Sequence, residues 1–248
     1  MYLTNKTRIR AITAVLLFSC QLYSQQGLEV DVPGHPIANT QARPNQTQTR
    51  LTQIALLNGK DLTGWKGAAG YWSFKNGSIV GHADENVPRN EFIWSNVIVK
   101  DFYLSVDVKL TPDSRNAGIQ FRSKPVNQNG QALGYQADIG KGVWGKLYHE
   151  HGRGKLDWND RAATIVKRGE WNRYEILASG HRIWTAINGT VCVAVEDAQG
   201  ELQGRIAFQI HSGEPQTVRY RKPILTHDPK IKLAGQNEKQ LIAMLTKL

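Results

Sequence analysis

The fold class this sequence predicts is an all-β sandwich of two antiparallel sheets, and three observations predict it. Phe102, Leu104, Val106, Val108 and Leu110 alternate with Tyr103, Ser105, Asp107 and Lys109, the period-two pattern of a strand with one face in a core. Asn-Gly pairs at 76–77 and 188–189 stand between alternating segments, the strongest short-range signal of a β-hairpin. Between residues 51 and 226 such short segments recur with turn signals at regular spacing and no segment has a helical period, which favours a two-sheet sandwich.

In chain order, residues 1–20 resemble an export leader. Lys6, Arg8 and Arg10 precede an apolar run, 11–18, too short to span a bilayer. Leu17-Phe-Ser-Cys20 resembles a bacterial lipobox, with Cys20 as the residue that would carry a lipid anchor. Phe18 is bulky for that motif, and plain cleavage near Ser24 is the alternative. Either way the protein is expected to be exported, to the periplasm or the cell surface. Residues 21–50, rich in Gln, Thr, Asn and Pro, predict a flexible spacer.

The folded domain is expected over 51–226. Residues 55–65 read as a strand start, an Asn58-Gly59 turn and a tryptophan anchor, Trp65; 72–80 as a hairpin; 92–94 and 102–110 as strands. Strands at 116–123 and 134–140 follow, around a polar loop at 127–131, and then a segment over 144–153. Further strands are expected at 171–177, 182–187, 190–195, 205–213 and 217–225. In the tail, 227–248, Leu241, Ile242, Leu245 and Leu248 fall at helical spacing and predict a short amphipathic helix packed on the sandwich.

The chain carries 31 Lys and Arg against 21 Asp and Glu, a net charge of +10; without the three leader cations it is about +7. The basic runs Lys167-Arg168 and Arg219-Tyr-Arg-Lys222 are short, no zinc-finger spacing or aromatic-interleaved basic motif is present, and nucleic acid is not an expected partner. Of two cysteines, Cys20 lies in the leader and Cys192, between valines, reads as a small core residue. A disulfide framework is excluded.

Three alternating segments carry unusual polar faces. Ile119 and Phe121 oppose Gln120 and Arg122; Tyr135, Ala137 and Ile139 oppose Gln136 and Asp138; Ile206, Phe208 and Ile210 oppose Gln209 and His211. If the strands share a sheet, these amides, the guanidinium, the carboxylate and the imidazole line one surface, a composition suited to sugar hydroxyls.

Seven segments in order, among them 57–65, 118–123, 134–140, 144–148, 169–175, Ile187-Asn-Gly189 and Gln209-Ile-His-Ser-Gly213, resemble the 3-keto-disaccharide hydrolase family, some of whose members are 3-keto-glucoside 1,2-lyases and 3-keto-2-hydroxy-glucal hydratases. The resemblance covers roughly residues 55–225 and implies a concanavalin-like jelly roll. One departure stands in Leu147-Tyr-His-Glu-His151, where His149 occupies a position expected to be acidic. The activity implied is cleavage of 3-keto-glycosides: a base removes the C2 proton acidified by the C3 ketone, the C1 substituent leaves, and water adds to the enone. On that reading His211 and Asp138 are the candidate bases, with Glu150 and His149 as further acid–base candidates. Arg122, Gln120, Gln136 and Gln209 are expected to bind substrate, and Trp144, Tyr148 and Trp158 to stack on sugar faces. His82 and Asn90 lie in an early loop that could close over the site. An ion pair between Asp138 and Arg122, a structural His211 and a merely solvated strand face are the alternatives. No organic cofactor is expected; a divalent cation at 149–151 stays open, without a known ligand spacing. The partner is a sugar, and a separate oxidoreductase must make the ketone, since no dinucleotide fingerprint occurs here. The rival reading, from a different class, is a non-catalytic glycan-binding or surface adhesion sandwich.

Overall fold

The computed structural model describes residues 52–248; the expected leader, with Cys20, and the expected spacer, 21–50, lie outside them. In chain order the elements are β1 (Thr52–Ile54), β2 (Trp65–Gly67), β3 (Trp72–Lys75), β4 (Ser78–Ala83), β5 (Glu91–Val99), β6 (Phe102–Thr111), β7 (Asn116–Pro125) and β8 (Ala132–Gly140). These are followed by β9 (Leu147–Glu150), β10 (Gly154–Asp157), β11 (Asn172–Ser179), β12 (Arg182–Ile187), β13 (Thr190–Glu196), β14 (Gly204–Ile210), β15 (Gln216–His227), α1 (Glu238–Ala243) and β16 (Thr246–Lys247). The Asn-Gly pairs form hairpin turns as expected. Asn76 and Gly77 (φ 51° and 70°) join β3 to β4, and Asn188 and Gly189 (φ 50° and 82°) join β12 to β13, the left-handed pair that matches strand twist.

Two sheets result. One has the order β16-β13-β12-β11-β6-β15-β4-β3, with β1 also paired to β15; the other runs β10-β9-β8-β7-β14-β5-β2. All pairings are antiparallel except β13 with β16. The apolar halves of the alternating strands meet between the sheets: Val106, Val108, Tyr174, Ile176 and Val218 from one; Ile119, Phe121, Ala137, Ile139, Phe208 and Ile210 from the other, all fully buried. Trp65, Phe208 and Tyr220 stack in series, at 4.9 and 4.1 Å between centroids. The Tyr220 hydroxyl, whose burial would otherwise be costly, has its one proton within reach of two carbonyls of the opposite sheet, Gln209 (2.8 Å) and Gly118 (3.0 Å).

Both pairings of the β7 centre shift register near its C-terminal end, between Phe121 and Lys124 on one side and beside Arg205 and Ala207 on the other. Arg122 sits there in the left-handed region (φ 47°), as an inserted residue in a β-bulge does. Gly204 packs so closely that a Cβ on it would lie 2.3 Å from the Arg122 carbonyl carbon.

Three elements differ from expectation. Residues 55–64 form a loop, β10 was not foreseen, and the C-terminal helix is only six residues long. An Asn237–Gln240 capping box starts the helix and Leu241 is its buried anchor. After Met244 the chain instead pairs with the edge of β13, Leu248 donating to the Glu196 carbonyl. A short helix gains little per added residue, and an open strand edge offers the same backbone groups partners. Leu241, Leu177, Trp184, Ala186, Ala194 and Leu233 form a second, smaller core on the outside of the larger sheet, where the Trp184 indole donates to the Leu241 carbonyl at 2.9 Å.

Gly204→Ala is expected to destabilise the domain by about 1–3 kcal/mol, the range for overpacking, because the atoms met are backbone. Urea unfolding of the variant, compared with an Ala substitution at exposed Gln203, measures it.

Candidate active site

Strand register brings two rows of side chains to the outer face of the smaller sheet. One runs Phe92, Gln209, Gly118, Asp138; the next runs Trp94, Ala207, Gln120, Gln136, Tyr148. Their neighbours along each strand, Ile93, Phe208, Ile119, Ala137 and Leu147, lie in the core. The polar residues are not a solvated face. Gln120 and Gln209 are 0% exposed, Gln136 and Asp138 3%.

A directed chain of hydrogen bonds ends on Asp138. The Ser123 hydroxyl donates to Gln120 Oε1 (2.8 Å), Gln120 Nε2 to Gln136 Oε1 (2.8 Å), and Gln136 Nε2 to Asp138 Oδ1 (2.7 Å). An ionised carboxylate only accepts, so it sets the orientation of both amides. Gly118 makes room: a Cβ there would lie 2.5 Å from the Gln136 amide carbon. Gln209, beside Gly118, has neither its amide nitrogen nor its amide oxygen bonded. A fully buried primary amide without partners is costly and marks a place for a hydrogen-bonding ligand or water.

Burial pushes the Asp138 carboxyl up to about 7; the Gln136 hydrogen bond opposes this, the nearby Glu150 charge adds to it and Lys146 opposes it. Glu150 is also raised, chiefly by burial, with His151, the Asn90 bond and His211 acting against it. Asn90 Nδ2 donates to Glu150 Oε1 at 3.2 Å, its Oδ1 accepts from the Ser212 backbone N–H at 3.0 Å, and its carbonyl accepts from Gln131 Nε2 at 2.5 Å. One asparagine thus ties the β4–β5 connection to β9, to the end of β14 and to the β7–β8 loop.

The structure therefore brings together Asp138, Glu150, Gln120, Gln136, Gln209 and Tyr148, with Asn90 and, at the end of β14, half-buried His211, whose Nδ1 lies 2.7 Å from the Ser212 carbonyl. His211 acts on Glu150 rather than on Asp138. Tyr148 meets Trp158 edge to face at 6.0 Å, and the ammonium groups of Lys146 and Lys155 lie over the Trp158 ring.

Four expectations are corrected. Arg122 does not reach this face: the bulge turns it into the end of the sandwich, 1% exposed, donating to the Lys100 (2.8 Å) and Gly180 (2.7 Å) carbonyls and pairing with Asp101, not Asp138. Ser123 takes the place on the polar face that unbroken alternation gives to Arg122. His149 points away from Glu150, as adjacent strand residues must; it is buried against the Tyr135 ring with Nε2 2.8 Å from Glu201. Trp144 stacks on Tyr174 of the other sheet, at 6.5 Å, and packs on the core. His82 lies on β4 in the larger sheet, bonded to Thr217. Of residues 149–151 only Glu150 and His151 stay together, His151 Nδ1 lying 3.7 Å from Glu150 Oε1, and among the described residues no group of three or more His, Cys, Asp or Glu is placed to hold a metal ion.

Ser123, Lys146 and Gln131 were missed. Lys146 was within reach of the same reasoning, since it alternates with Tyr148 and Glu150 along one face; it is nearly buried and pairs with Asp160 at 2.8 Å. Ser123 was hidden by the bulge, and Gln131 acts from a loop that has no period.

A two-sheet jelly roll with a buried, near-neutral carboxylate among amides is the architecture of a carbohydrate-active sandwich. Residues 52–225 match the family described as the 3-keto-alpha-glucoside-1,2-lyase-like domain, and the chain belongs to that family. Among solved structures it is similar to a predicted glycosyl hydrolase from Parabacteroides distasonis (18% identity, TM-score 0.54, covering 71% of this chain and 99% of that one). It is also similar to the carbohydrate-binding module CBM66 from Bacillus subtilis (16% identity, TM-score 0.51, 64% and 93% covered). At such identities the likeness is one of fold. No curated protein matches the chain.

Asp138 makes stability depend on pH. Its pKa rises from 3.8 unfolded to about 7 folded, so between these values the folded state holds the extra proton and stability falls as pH rises, by up to roughly 1.4 kcal/mol per unit. Asp138→Asn is expected to remove this slope and to be the more stable protein at alkaline pH. Urea denaturation at acidic and alkaline pH measures both.

Proposed function

We propose that this domain cleaves 3-keto-glycosides by elimination and hydration, with Asp138 as the base. The observation that carries the reading is the Asp138 carboxyl, pushed up to about 7 at the end of a row of amides, in a chain of this family. A base is most effective when its pKa lies near the working pH.

The steps balance on the residues at hand. Asp138 takes the C2 proton, and the electron pair moves onto the C3 oxygen as an enolate. The buried amide of Gln209, free to donate, and the Lys146 ammonium are suited to stabilising that oxygen. The C1–O bond then breaks, and Glu150, whose carboxyl is raised chiefly by burial, gives a proton to the departing alkoxide. Glu150, now ionised, takes a proton from water as its oxygen adds at C1 of the enone, and protonated Asp138 returns its proton to C2, leaving the free 3-keto sugar and both carboxyls restored. Gln120 and Gln136 would hold Asp138 in place, Tyr148 would meet one sugar face, and His211 would tune Glu150. The protein would work outside the cytoplasm, downstream of an oxidoreductase that forms the ketone.

A second reading, glycan binding without turnover, has the likeness to a binding module in its favour. A binder has no use for a carboxylate titrating near neutrality.

With a 3-keto-glucoside as substrate, Asp138→Asn is expected to lower turnover about a hundredfold to ten-thousandfold and to abolish exchange of the C2 proton with deuterated water. In the wild type kcat/KM should fall as pH drops below about 7, because the base is then protonated. Retention of full turnover and exchange by the variant would sink the assignment. Glu150→Gln should slow substrates with alkyl leaving groups far more than those with nitrophenyl groups, which need no proton; equal slowing argues against Glu150 as the acid.

A further inference from the structure

The larger sheet has its own outer face, and half of it carries a groove with no part in the chemistry above. The groove, of about 640 Å3, crosses β3, β4, β15 and β6. Its lining includes four cations, Lys75, Lys109, Arg219 and Arg221, and no carboxylate. The basic run 219–222, which reads in sequence as a solvated face, is split by strand alternation. Tyr220 enters the core while Arg219 and Arg221 project outward.

Two features set this groove apart from an ordinary charged surface. Arg219 stands directly opposite Lys109 on the neighbouring strand, a like-charge pair that destabilises a sheet. Among the described residues Lys75, Lys109 and Arg219 form no salt bridge. Native sheets usually place an acid between such cations, as this one does nearby, where Asp107 lies between Arg173 and Arg221. The second feature is the wall. Arg221 lies over the Trp171 ring, its guanidinium carbon 3.8 Å from the centroid, a cation–π contact that helps hold the guanidinium. Tyr71, Ser73, Ser78 and Thr217 also line it, together with His82, whose Nδ1 lies 2.8 Å from the Thr217 hydroxyl.

We propose that this groove is a second carbohydrate site, which binds a glycan chain carrying carboxylated sugars, uronic acids. The cations supply charge complementarity, Arg forks match carboxylates, ring faces suit the apolar sides of sugars, and the hydroxyls suit their OH groups. A sugar chain rather than a nucleic acid is favoured by the family to which the domain belongs. The groove lies on the sheet opposite the one that holds Asp138, so a bound chain would leave that face free. The inference does not depend on the reaction at Asp138, because binding is read without turnover.

The test is calorimetric titration of the full chain with a short oligogalacturonate, an uncharged cello-oligosaccharide of equal length and a single-stranded DNA oligonucleotide. The oligogalacturonate is expected to bind, more weakly as salt is raised, and the cello-oligosaccharide not to. Arg219→Ala and Lys109→Gln should each weaken binding about tenfold or more and Trp171→Ala should weaken it too. Turnover should be unchanged in the Arg219 and Lys109 variants and melting temperature no lower, since each relieves a repulsion. Equal binding of the uncharged chain, tighter binding of the DNA, or undiminished binding by the folded Arg219 and Lys109 variants would each overturn the proposal.

Discussion

A carboxylate held out of water in the middle of a β-sheet is the constraint on which much of this domain depends. Leaving Asp138 both ionised and unsupported would be prohibitive. The domain meets the cost in part: one hydrogen bond from Gln136, itself held by Gln120 and Ser123, and the field of Lys146. That partial compensation leaves the group near neutrality, which is what a proton-transfer residue needs. Other features follow from it. Gly118 is bare so that Gln136 can lean across it. The bulge at Arg122 delivers Ser123 to the start of the chain of bonds. Tyr220 spans the core to reach carbonyls of the two strands beneath Gln209 and Gly118.

Much of the fold was legible in the sequence because two-residue periodicity is a local property. The strands at 102–110 and 182–187 and both Asn-Gly hairpins could be read from neighbours alone. The polar face of β7, β8 and β14 was legible for the same reason, and Gln120, Gln136, Asp138 and Gln209 are where alternation puts them. What could not be read depends on the third dimension. The bulge that moves Arg122 is fixed by the close approach of Gly204, eighty-odd residues away. His149 was misplaced by reading a dense run of titratable residues as one cluster, although adjacent residues of a strand cannot share a face. The helix in the tail ended early because the edge of β13, far off in sequence, competed for its backbone groups.

The outer face of the larger sheet is divided in composition. Over β11, β12 and β13 it is apolar, with Leu177, Trp184 and Ala194 covered by Leu233 and Leu241 from the tail. Over β3, β4, β15 and β6 it is basic and uncovered. The same strands meet a single continuous core on their inner side, so the division costs the interior nothing.

The short strand β16 does more than end the chain. Unpaired strand edges are templates on which a second molecule can build, and β13, rich in valine and ending a nine-stranded sheet apart from β16, is such a template. By laying Thr246 and Lys247 along Val195 and Glu196, the domain occupies that part of the edge with its own backbone and sets a lysine there. The tail therefore fills with its own backbone a place where a strand of another molecule could otherwise pair edge to edge.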